Sequence, residues 1–472
     1  MKTSGAVLFP TTVRELILEL DLTRPRGRQA RLEVALRDAV RGGRLPAGTR
    51  LPSSRALGDQ LGVARSTVVS AYEQLVAEGY LRARQGAGTE VAPLPTAAAV
   101  EPPPTSSPNS VSIDLVPGEP DRSLFPRGAW LAAGRRALDG PDDDLFGYGE
   151  RRGHPGLRAS LAAYLGRARA VVTDPGHITV LAGMTAALGF LAEALRATGV
   201  ERIAVEDPSL PPLRQLFSDA GLVTVAVPVD DEGLSVASLE LADVGAVLVT
   251  PAHQYPLGVT MSPARRAALL DWARRTGGWV IEDDYDAEFR YDRQPVGALQ
   301  GLDPERVVYA GTASKSLGAG LRLGWLVVPP DLLTPLDRAI GRRGAVSSVE
   351  QATLAAFIDA GELDRQIRRA RAIYRGRRDV IVERLRTDVP DLTLSGIAAG
   401  LHLTALLPAA GPSEAELVRR AARRSVALFG LGSHWCGDAR GEGLVLGFGR
   451  PPQHRFPAAV DQLIAILREP GQ

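Results

Sequence analysis

Lysine is almost absent from this chain of 472 residues. It occurs only as Lys2 and Lys315, whereas lysine and arginine together number 55. A lysine amine can lose its proton and attack a carbonyl carbon, but a guanidinium group stays charged and cannot form a Schiff base. Lys315, within "TASKSLGAGLRLGW", is therefore a candidate for covalent chemistry. The alternative is a surface lysine placed there by chance.

Cysteine, long apolar runs and metal-ligand patterns are also missing. The single cysteine, Cys436, excludes an internal disulfide framework and suits a reducing compartment. No apolar run approaches the roughly 20 residues of a membrane helix, and the first residues lack the apolar core of a signal peptide. The six histidines show no ligand spacing. We expect a cytoplasmic protein with no membrane segment and no metal site.

The charge is unevenly distributed along the chain. Residues 1–92 contain 14 Lys/Arg and 9 Asp/Glu, a charge of +5, whereas the whole chain carries +1. The remainder therefore carries about −4. A small basic module joined to a larger, mildly acidic part indicates a polyanionic partner for the module.

A segment rich in proline, alanine and serine, "PLPTAAAVEPPPTSSPNS", separates the two parts. It has too few large apolar residues to form a core, and its prolines favour an extended spacer. We predict an N-terminal module over residues 1–92, a linker over 93–110 and a C-terminal domain over 111–472. The last is long enough for a large and a small subdomain.

The C-terminal part alternates short apolar runs with helical stretches. "ITVLAG", "RIAVEDP", "AVLVTPAH", "GWVIEDDYD" and "RVVYAGTAS" are typical of strands buried on both faces. The pattern predicts an α/β fold with a mainly parallel sheet, in which ligands gather at the carboxyl ends of strands. The residues that directly follow these runs are Gly183, Asp207, His253, Asp283 and Lys315.

The basic module predicts a winged helix-turn-helix. Leu32, Leu36 and Val40 recur at helical spacing, Ser53 is a candidate N-cap for a second helix, and "RSTVVSAYEQLVAEG" predicts a third. Two short helices joined by a tight turn are typical of helix-turn-helix domains. "YLRARQGAGTEV" then predicts a hairpin, the wing.

The third helix begins with Arg65, Ser66 and Thr67, the kinds of side chain that a recognition helix presents to base edges and phosphates. An alternative is a helical hairpin used for dimerisation. Residues 29–92 resemble the winged-helix domain of GntR-type transcription regulators, through "LPSSRALGDQLGVARSTV" and "EGYL...QGAGT.V". The resemblance implies DNA contacts from Arg55, Arg65, Ser66 and Thr67, with Gly86 of the wing close to the DNA backbone.

Several groups near Lys315 suggest a phosphorylated aldehyde ligand. Thr312, Ser314 and Arg322 can bind a phosphate. Gly183 precedes a predicted helix whose free N–H groups favour an anion. Together with the carboxylate of Asp283 at another strand end, these residues suggest pyridoxal 5′-phosphate (PLP), because its aldehyde condenses with lysine and a carboxylate keeps its ring nitrogen protonated.

Residues 111–472 resemble a fold-type I aminotransferase domain, and the joined modules resemble the MocR/GabR/PdxR group of regulators. The motifs are "TPAHQYPLGVTMS", "VIEDDYDAEFRY" and "YAGTASKSLGAGLRLGWLVVP". The resemblance implies a Schiff base on Lys315, Asp283 on the pyridine nitrogen and Tyr285 near O3′. Gln254 stands near an aminotransferase asparagine, and Tyr148 matches a tyrosine lent across a dimer interface. The implied phosphate ligands are Gly183, Met184, Thr312, Ser314 and Arg322, and Thr185 is a further candidate cofactor-binding residue.

Three departures from the aminotransferase pattern bear on activity. Ser209-Leu210 stands where relatives often have Gly-Tyr, and Met184-Thr185 replaces a more usual small or polar pair. Val445 stands where many aminotransferases have the arginine that clamps the substrate carboxylate, with Arg450 nearby. These departures argue against efficient transamination.

The leading hypothesis is a transcription regulator in which PLP, alone or with an amine or amino acid, changes how a homodimer binds repeated sites on double-stranded DNA. The genes would belong to vitamin B6 or amine and amino-acid metabolism. One alternative is an active aminotransferase with a DNA-tethering domain. Another is a regulator whose large domain is only a dimerisation scaffold.

Overall fold

The computed structural model describes residues 27–84, 88–93, 113–140, 143–292, 296–341, 343, 346–437 and 441–469. The chain divides into two compact units, Met1–Ser106 and Ser107–Gln472. The predicted linker, apart from Pro93, lies outside the described residues. No helix in the described ranges is both long enough and apolar enough to cross a bilayer.

The N-terminal unit contains three helices and a hairpin: α1 (Arg28–Arg41), α2 (Ser54–Leu61), α3 (Arg65–Ala77), β1 (Leu81–Arg84) and β2 (Gly88–Val91). Ser53 caps α2, since its Oγ accepts a hydrogen bond from the backbone N–H of Ala56 at 3.2 Å. The helix ends at Gly62, whose φ of 63° is readily adopted by glycine. The predicted helix-turn-helix is confirmed.

Apolar residues at helical spacing form the core of this small unit. Leu32, Leu36, Val68 and Leu75 are buried in one core shared by α1, α3 and the hairpin. Strands β1 and β2 pair antiparallel, with Leu81 opposite Val91. The predicted wing is therefore present, although its tip at residues 85–87 lies outside the described residues.

The C-terminal unit contains two subdomains. Its strands are β3 (Ile113–Asp114), β4 (Ile178–Leu181), β5 (Arg202–Asp207), β6 (Val223–Asp230), β7 (Gly233–Leu234), β8 (Ala246–Val249), β9 (Trp279–Asp284), β10 (Val307–Thr312), β11 (Gly324–Val327), β12 (Thr393–Ser395), β13 (His402–Leu406), β14 (Val426–Ala427), β15 (Phe429–Gly430) and β16 (Gly443–Gly447). Its helices are α4 (Arg127–Leu138), α5 (Pro155–Arg169), α6 (Met184–Ala197), α7 (Pro211–Asp219), α8 (Val236–Glu240), α9 (Pro263–Thr276), α10 (Pro330–Ile340), α11 (Ser348–Asp359), α12 (Glu362–Asp388), α13 (Glu414–Arg423) and α14 (Phe456–Arg468).

The large subdomain is built on a sheet with the strand order β4-β11-β10-β9-β8-β5-β6-β7. The central strands β6, β5, β8, β9 and β10 run parallel. Strand β11 runs antiparallel to both of its neighbours, and β7 runs antiparallel to β6. The predicted mainly parallel α/β fold is confirmed.

Both faces of this sheet are covered, which explains why its strands are continuously apolar. Ile281 of β9 belongs to a core with α6 and α10, whereas its neighbour Val280 belongs to a second core with α9. Because β5, β6, β8, β9 and β10 run parallel, their carboxyl ends lie at one edge of the sheet, where the loops after them meet.

The small subdomain carries a four-stranded antiparallel sheet in the order β12-β13-β16-β15. One face packs against α12, α13 and α14 through Leu403, Leu444 and Leu446. Strand β3, the first described segment after the linker, pairs parallel with β14 of this subdomain. The chain therefore enters the C-terminal unit through its small subdomain.

Candidate cofactor site and DNA-binding face

Loops at the carboxyl edge of the large sheet enclose a cavity of about 270 Å³. Its wall includes residues from both subdomains, among them Gly118, Thr250 and His402. The sequence-predicted residues that line it are Met184, Thr185, Asp283, Tyr285, Thr312, Ser314 and Lys315. The structure thus brings together side chains that are up to 131 positions apart in the chain.

Lys315 follows β10 and reaches into this cavity. Its Nζ donates a hydrogen bond to the backbone carbonyl of Gly118, and the side chain is half-buried. Burial lowers the pKa of the Lys315 ammonium, while Asp286 and Asp283 oppose that shift. A lowered pKa increases the neutral fraction, which is the form that attacks a carbonyl carbon.

Asp283, near the end of β9, carries a buried oxygen that has no hydrogen-bond partner among the described residues, Oδ1. Burial raises the pKa of this carboxyl group to about 7, and the positive charge of Lys315 counteracts the rise. An unpaired buried acceptor costs free energy until a donor reaches it. A protonated pyridine nitrogen is a donor of the required kind.

Gly183 and Arg322 form one end of the site. Gly183 caps the N-terminus of α6 with a φ of 84°, and a Cβ there would lie 3.5 Å from Cζ of Arg322. No side-chain hydrogen bond or ion pair within the described ranges holds the exposed Arg322 guanidinium. The Thr312 Oγ1 donates to Ser314 Oγ at 2.9 Å. A helix start, an unpaired guanidinium and two hydroxyls suit a phosphate.

Three other predicted residues are placed differently from one another. Tyr285 lines the cavity, and its hydroxyl donates to the backbone carbonyl of His253 at 3.0 Å. Gln254 is buried beside the cavity, with its amide nitrogen donating to Pro208 O at 2.8 Å and its oxygen accepting from Leu257 N at 3.0 Å. Tyr148 is fully exposed and does not line its own chain's cavity.

Tyr255, the neighbour of Gln254, lines the cavity and did not feature in the sequence predictions. Its hydroxyl lies 3.2 Å from Nε2 of His434 in the small subdomain. Since Gln254 uses its amide to hold the loop, the side chain of this motif that reaches the ligand space is the aromatic one. The peptide bond between Tyr255 and Pro256 is cis.

His253, Asp286 and His402 form a buried group that the sequence pattern did not indicate. Nδ1 of His253 lies 3.0 Å from Oδ2 of Asp286, and Nε2 of His402 lies 3.2 Å from the carbonyl oxygen of Pro256. One side-chain nitrogen or oxygen atom from each of the three residues lies within 4.8 Å of the other two. Spacing alone could not indicate this group, because the topology brings His402 from a different subdomain. The third aspartate of "DDYD" was the one available signal.

The side chains around the cavity fit PLP. A half-buried amine, a carboxylate with an unpaired oxygen and an unpaired guanidinium beside a helix start match its aldehyde, ring nitrogen and phosphate.

In the N-terminal unit, Arg55, Arg65 and Ser66 are exposed and Thr67 is partly exposed. Among described residues, no ion pair or side-chain hydrogen bond engages Arg55 or Arg65. Arg82, by contrast, is paired with Glu90. Gly86 lies outside the described residues. The beginning of α3 therefore presents a free cation and short hydroxyls, which suit contacts with phosphates and base edges.

Glu206 gives a pH-dependent prediction. Burial raises its pKa from 4.5 to about 7, so the folded state holds an extra proton between those values and loses that stabilisation as the pH rises through 7. We expect Glu206→Gln to remove this loss in PLP-free protein. The free energy of unfolding of the variant minus that of wild type should be about 3 kcal/mol higher at pH 8 than at pH 4.5, because only wild type loses stability as the pH rises. Urea denaturation at both pH values measures this difference. The same difference in free energy of unfolding between variant and wild type at both pH values would contradict the prediction.

Both units match known families. Residues 113–434 match the family "Aminotransferase class I and II", and residues 28–91 match "Bacterial regulatory proteins, gntR family". The C-terminal unit is similar to the crystal structure of an archaeal alanine:glyoxylate aminotransferase, with a TM-score of 0.70 and 26% identity over 76% of this chain and 91% of that one.

Relatives that span both units carry regulator names. The chain is 36% identical to the probable rhizopine catabolism regulatory protein MocR of Rhizobium meliloti, over 86% of each chain. It is 35% identical to the pyridoxine biosynthesis transcriptional regulator PdxR of Corynebacterium glutamicum, over 92% of this chain and 95% of that one. This chain therefore belongs to the MocR/PdxR-type transcriptional regulators, in which a GntR-family DNA-binding domain is joined to an aminotransferase-like domain.

Proposed function

We propose that this regulator binds PLP through Lys315 and that the bound cofactor changes how the recognition helices engage DNA. The observation that carries the proposal is the position of Lys315 Nζ in a cavity that also holds Asp283, whose buried oxygen has no partner. A cavity without a cofactor role would have little reason to keep an amine beside an unpaired carboxylate.

Each residue has a distinct task in this proposal. PLP supplies an aldehyde that exchanges between primary amines. Lys315 offers the amine that retains the cofactor, and Asp283 accepts the hydrogen bond of the ring N–H. Arg322, with Thr312, Ser314 and the start of α6, binds the phosphate. Tyr285 orients the ring oxygen, because its hydroxyl lies at the cavity wall beside His253.

The DNA-binding part of the proposal assigns contacts to Arg55, Arg65, Ser66 and Thr67, with Gly86 in the wing. A homodimer would present two recognition helices to repeated half-sites on double-stranded DNA. The fully exposed Tyr148 supports that state, since it is available to a second copy. We place the domain boundaries at residues 92 and 110 and the protein in the cytoplasm.

The signal is PLP itself or an amine that reacts with it. The names of two relatives refer to pyridoxine biosynthesis and to rhizopine catabolism, which suggests genes of vitamin B6 or amine metabolism. The second candidate function is an active aminotransferase, favoured by the joint presence of Lys315 and Asp283 in one cavity.

A DNA-binding titration tests the proposal. PLP-free and PLP-loaded protein would be titrated against the upstream region of the chain's own gene by fluorescence anisotropy at fixed salt. We expect PLP to change the Kd or the footprint, because a ligand acts on a distant site only by binding two arrangements of the protein unequally. Identical affinity and footprint in both states would contradict the proposal. Release of a keto acid over many turnovers would favour the enzyme instead.

A further inference from the structure

The charges that line the cavity indicate which class of amine can react there. Three carboxyl groups line it, those of Glu206, Asp283 and Asp286, whereas Lys315 is the one cationic side chain among the described lining residues, and Arg322 lies at the end assigned to the phosphate. Asp286 and Asp283 both act electrostatically on the Lys315 ammonium. An incoming ammonium ion is therefore attracted, and an anion that accompanies it is repelled.

The histidine in the wall does not compensate. His402 is buried, and burial together with the nearby His253 lowers its pKa well below 6.5. It is therefore neutral at physiological pH and offers no positive charge to an anion in the cavity. Its Nε2 already lies 3.2 Å from the carbonyl oxygen of Pro256.

An arginine that acts electrostatically on Lys315 is already engaged by other groups. Arg450 acts electrostatically on Lys315, but its guanidinium is paired with Asp114 and with Glu119, whose Oε1 lies 3.3 Å from Nη2. Its buried Nε has no partner among the described residues. One N–H is weaker than the two parallel donors with which arginine binds carboxylates best.

Val445 occupies the sheet position from which a cation could reach the cavity. It lies directly opposite Thr404 in the β13–β16 pair, so the two side chains share a face of the sheet. Thr404 Oγ1 donates to Pro256 O at 2.6 Å, and His402 on the same face lines the cavity. The neighbouring Leu444 and Leu446 point to the opposite, helix-covered face. Val445 is fully buried and apolar.

We propose that this site selects primary amines that carry no carboxylate beside the amino group, and that it discriminates against α-amino acids. The inference rests on the proposed binding of PLP to Lys315. Leu210, Leu213 and Leu248 in the cavity wall would contact an apolar body of the amine. A carboxylate would instead be buried among carboxyl groups, with no cation besides Lys315 among the described lining residues, which is unfavourable.

The test uses full-length PLP-loaded protein and three probes that share an isobutyl side chain: 3-methylbutylamine, L-leucine and L-leucinamide. The change in the visible absorbance of the bound cofactor gives the half-saturating concentration of each probe. We expect L-leucine to require at least about tenfold more than the amine, a difference of about 1.4 kcal/mol. L-leucinamide should resemble the amine, because it has the bulk of leucine without the negative charge.

Three results would overturn the inference. One is equal or tighter binding of L-leucine, and another is equally weak binding of L-leucinamide, which would indicate size rather than charge. The third is no response to any probe by protein that is coloured and whose DNA binding responds to PLP. That result would leave the proposed function standing with PLP itself as the signal, whereas protein without a visible cofactor band would fail both.

Two variants examine the charge argument directly. Val445→Arg should shift the preference toward L-leucine by about tenfold, if its cofactor band shows that the site is intact. Glu119→Gln keeps the shape of the side chain and releases Arg450 from one of its two carboxylates, so L-leucine binding should improve several-fold while amine binding changes little. Glu383→Gln on the exposed face of α12 is the matched control and should change neither. An unchanged preference in both test variants would contradict the proposal.

Discussion

Lys315→Ala protein is expected to remain colourless after incubation with PLP, whereas wild-type protein should absorb near the violet edge of the visible spectrum. Removing the amine removes the only group in the described cavity wall that can form a Schiff base with the aldehyde. Borohydride reduction followed by peptide mass analysis should attach PLP to Lys315 in wild-type protein and to no peptide of the variant's cavity. Persistent colour in the variant would show that the lysine assignment is wrong.

The scarcity of lysine provides an unusually clean control for that experiment. Lys2 is the only other lysine, so Lys2→Arg leaves one possible attachment point among lysine side chains. Lys2→Arg should behave as wild type in colour and trapping. In Lys315→Ala the affinity for DNA should persist, because the N-terminal unit has its own core, but it should no longer respond to PLP. A response to PLP in this variant would contradict a covalent mechanism.

Arg65→Ala is expected to weaken DNA binding by about 10- to 100-fold, corresponding to roughly 1–3 kcal/mol for an arginine that contacts a base edge. Arg65 begins α3, is exposed and has no ion-pair partner among the described residues, so its guanidinium is available to DNA. Anisotropy titrations at several salt concentrations would separate two cases. Loss of discrimination between operator and unrelated DNA indicates base contact, and a uniform loss with a smaller salt slope indicates phosphate contact.

Arg37→Ala is the matched control for Arg65→Ala. Arg37 is paired with Glu78, which caps the opposite end of the 13-residue α3, about 20 Å from Arg65 along the helix. Removing the same charge there should change affinity less than about threefold. Equal losses in the two variants would show that net charge, rather than the front of α3, determines binding.

The sequence predicted the positions of the buried strands better than it predicted which side chains face the cavity. Continuous apolar runs located β4, β5, β8, β9 and β10, because strands covered on both faces cannot tolerate polar alternation. The antiparallel β11 was not anticipated, since "GWLV" is too short to reveal its direction. Asp283 and Lys315 lie in the cavity wall because each directly follows, or ends, a buried strand.

The residues that the sequence did not indicate depend on loop geometry and on the second subdomain. Gln254 is held by hydrogen bonds to Pro208 and Leu257 while Tyr255 lines the cavity, and no sequence periodicity reveals that division. His402 lies on β13 and reaches the cavity only because the small sheet packs against the 253–258 loop through Thr404. The role of Glu206 likewise follows from burial, which becomes apparent only in three dimensions.

A short segment of chain joins β3, the first described strand of the C-terminal unit, to Gly118 in the cavity wall. Ile113 and Leu115 donate to Ser425 O and Ala427 O at 3.3 and 3.0 Å, and Gly118 then accepts the hydrogen bond of Lys315. These two hydrogen bonds lie within five positions of the carbonyl group that Lys315 contacts. A shift of β3 against β14 would therefore reach the hydrogen-bond acceptor of Lys315 within five positions of the chain.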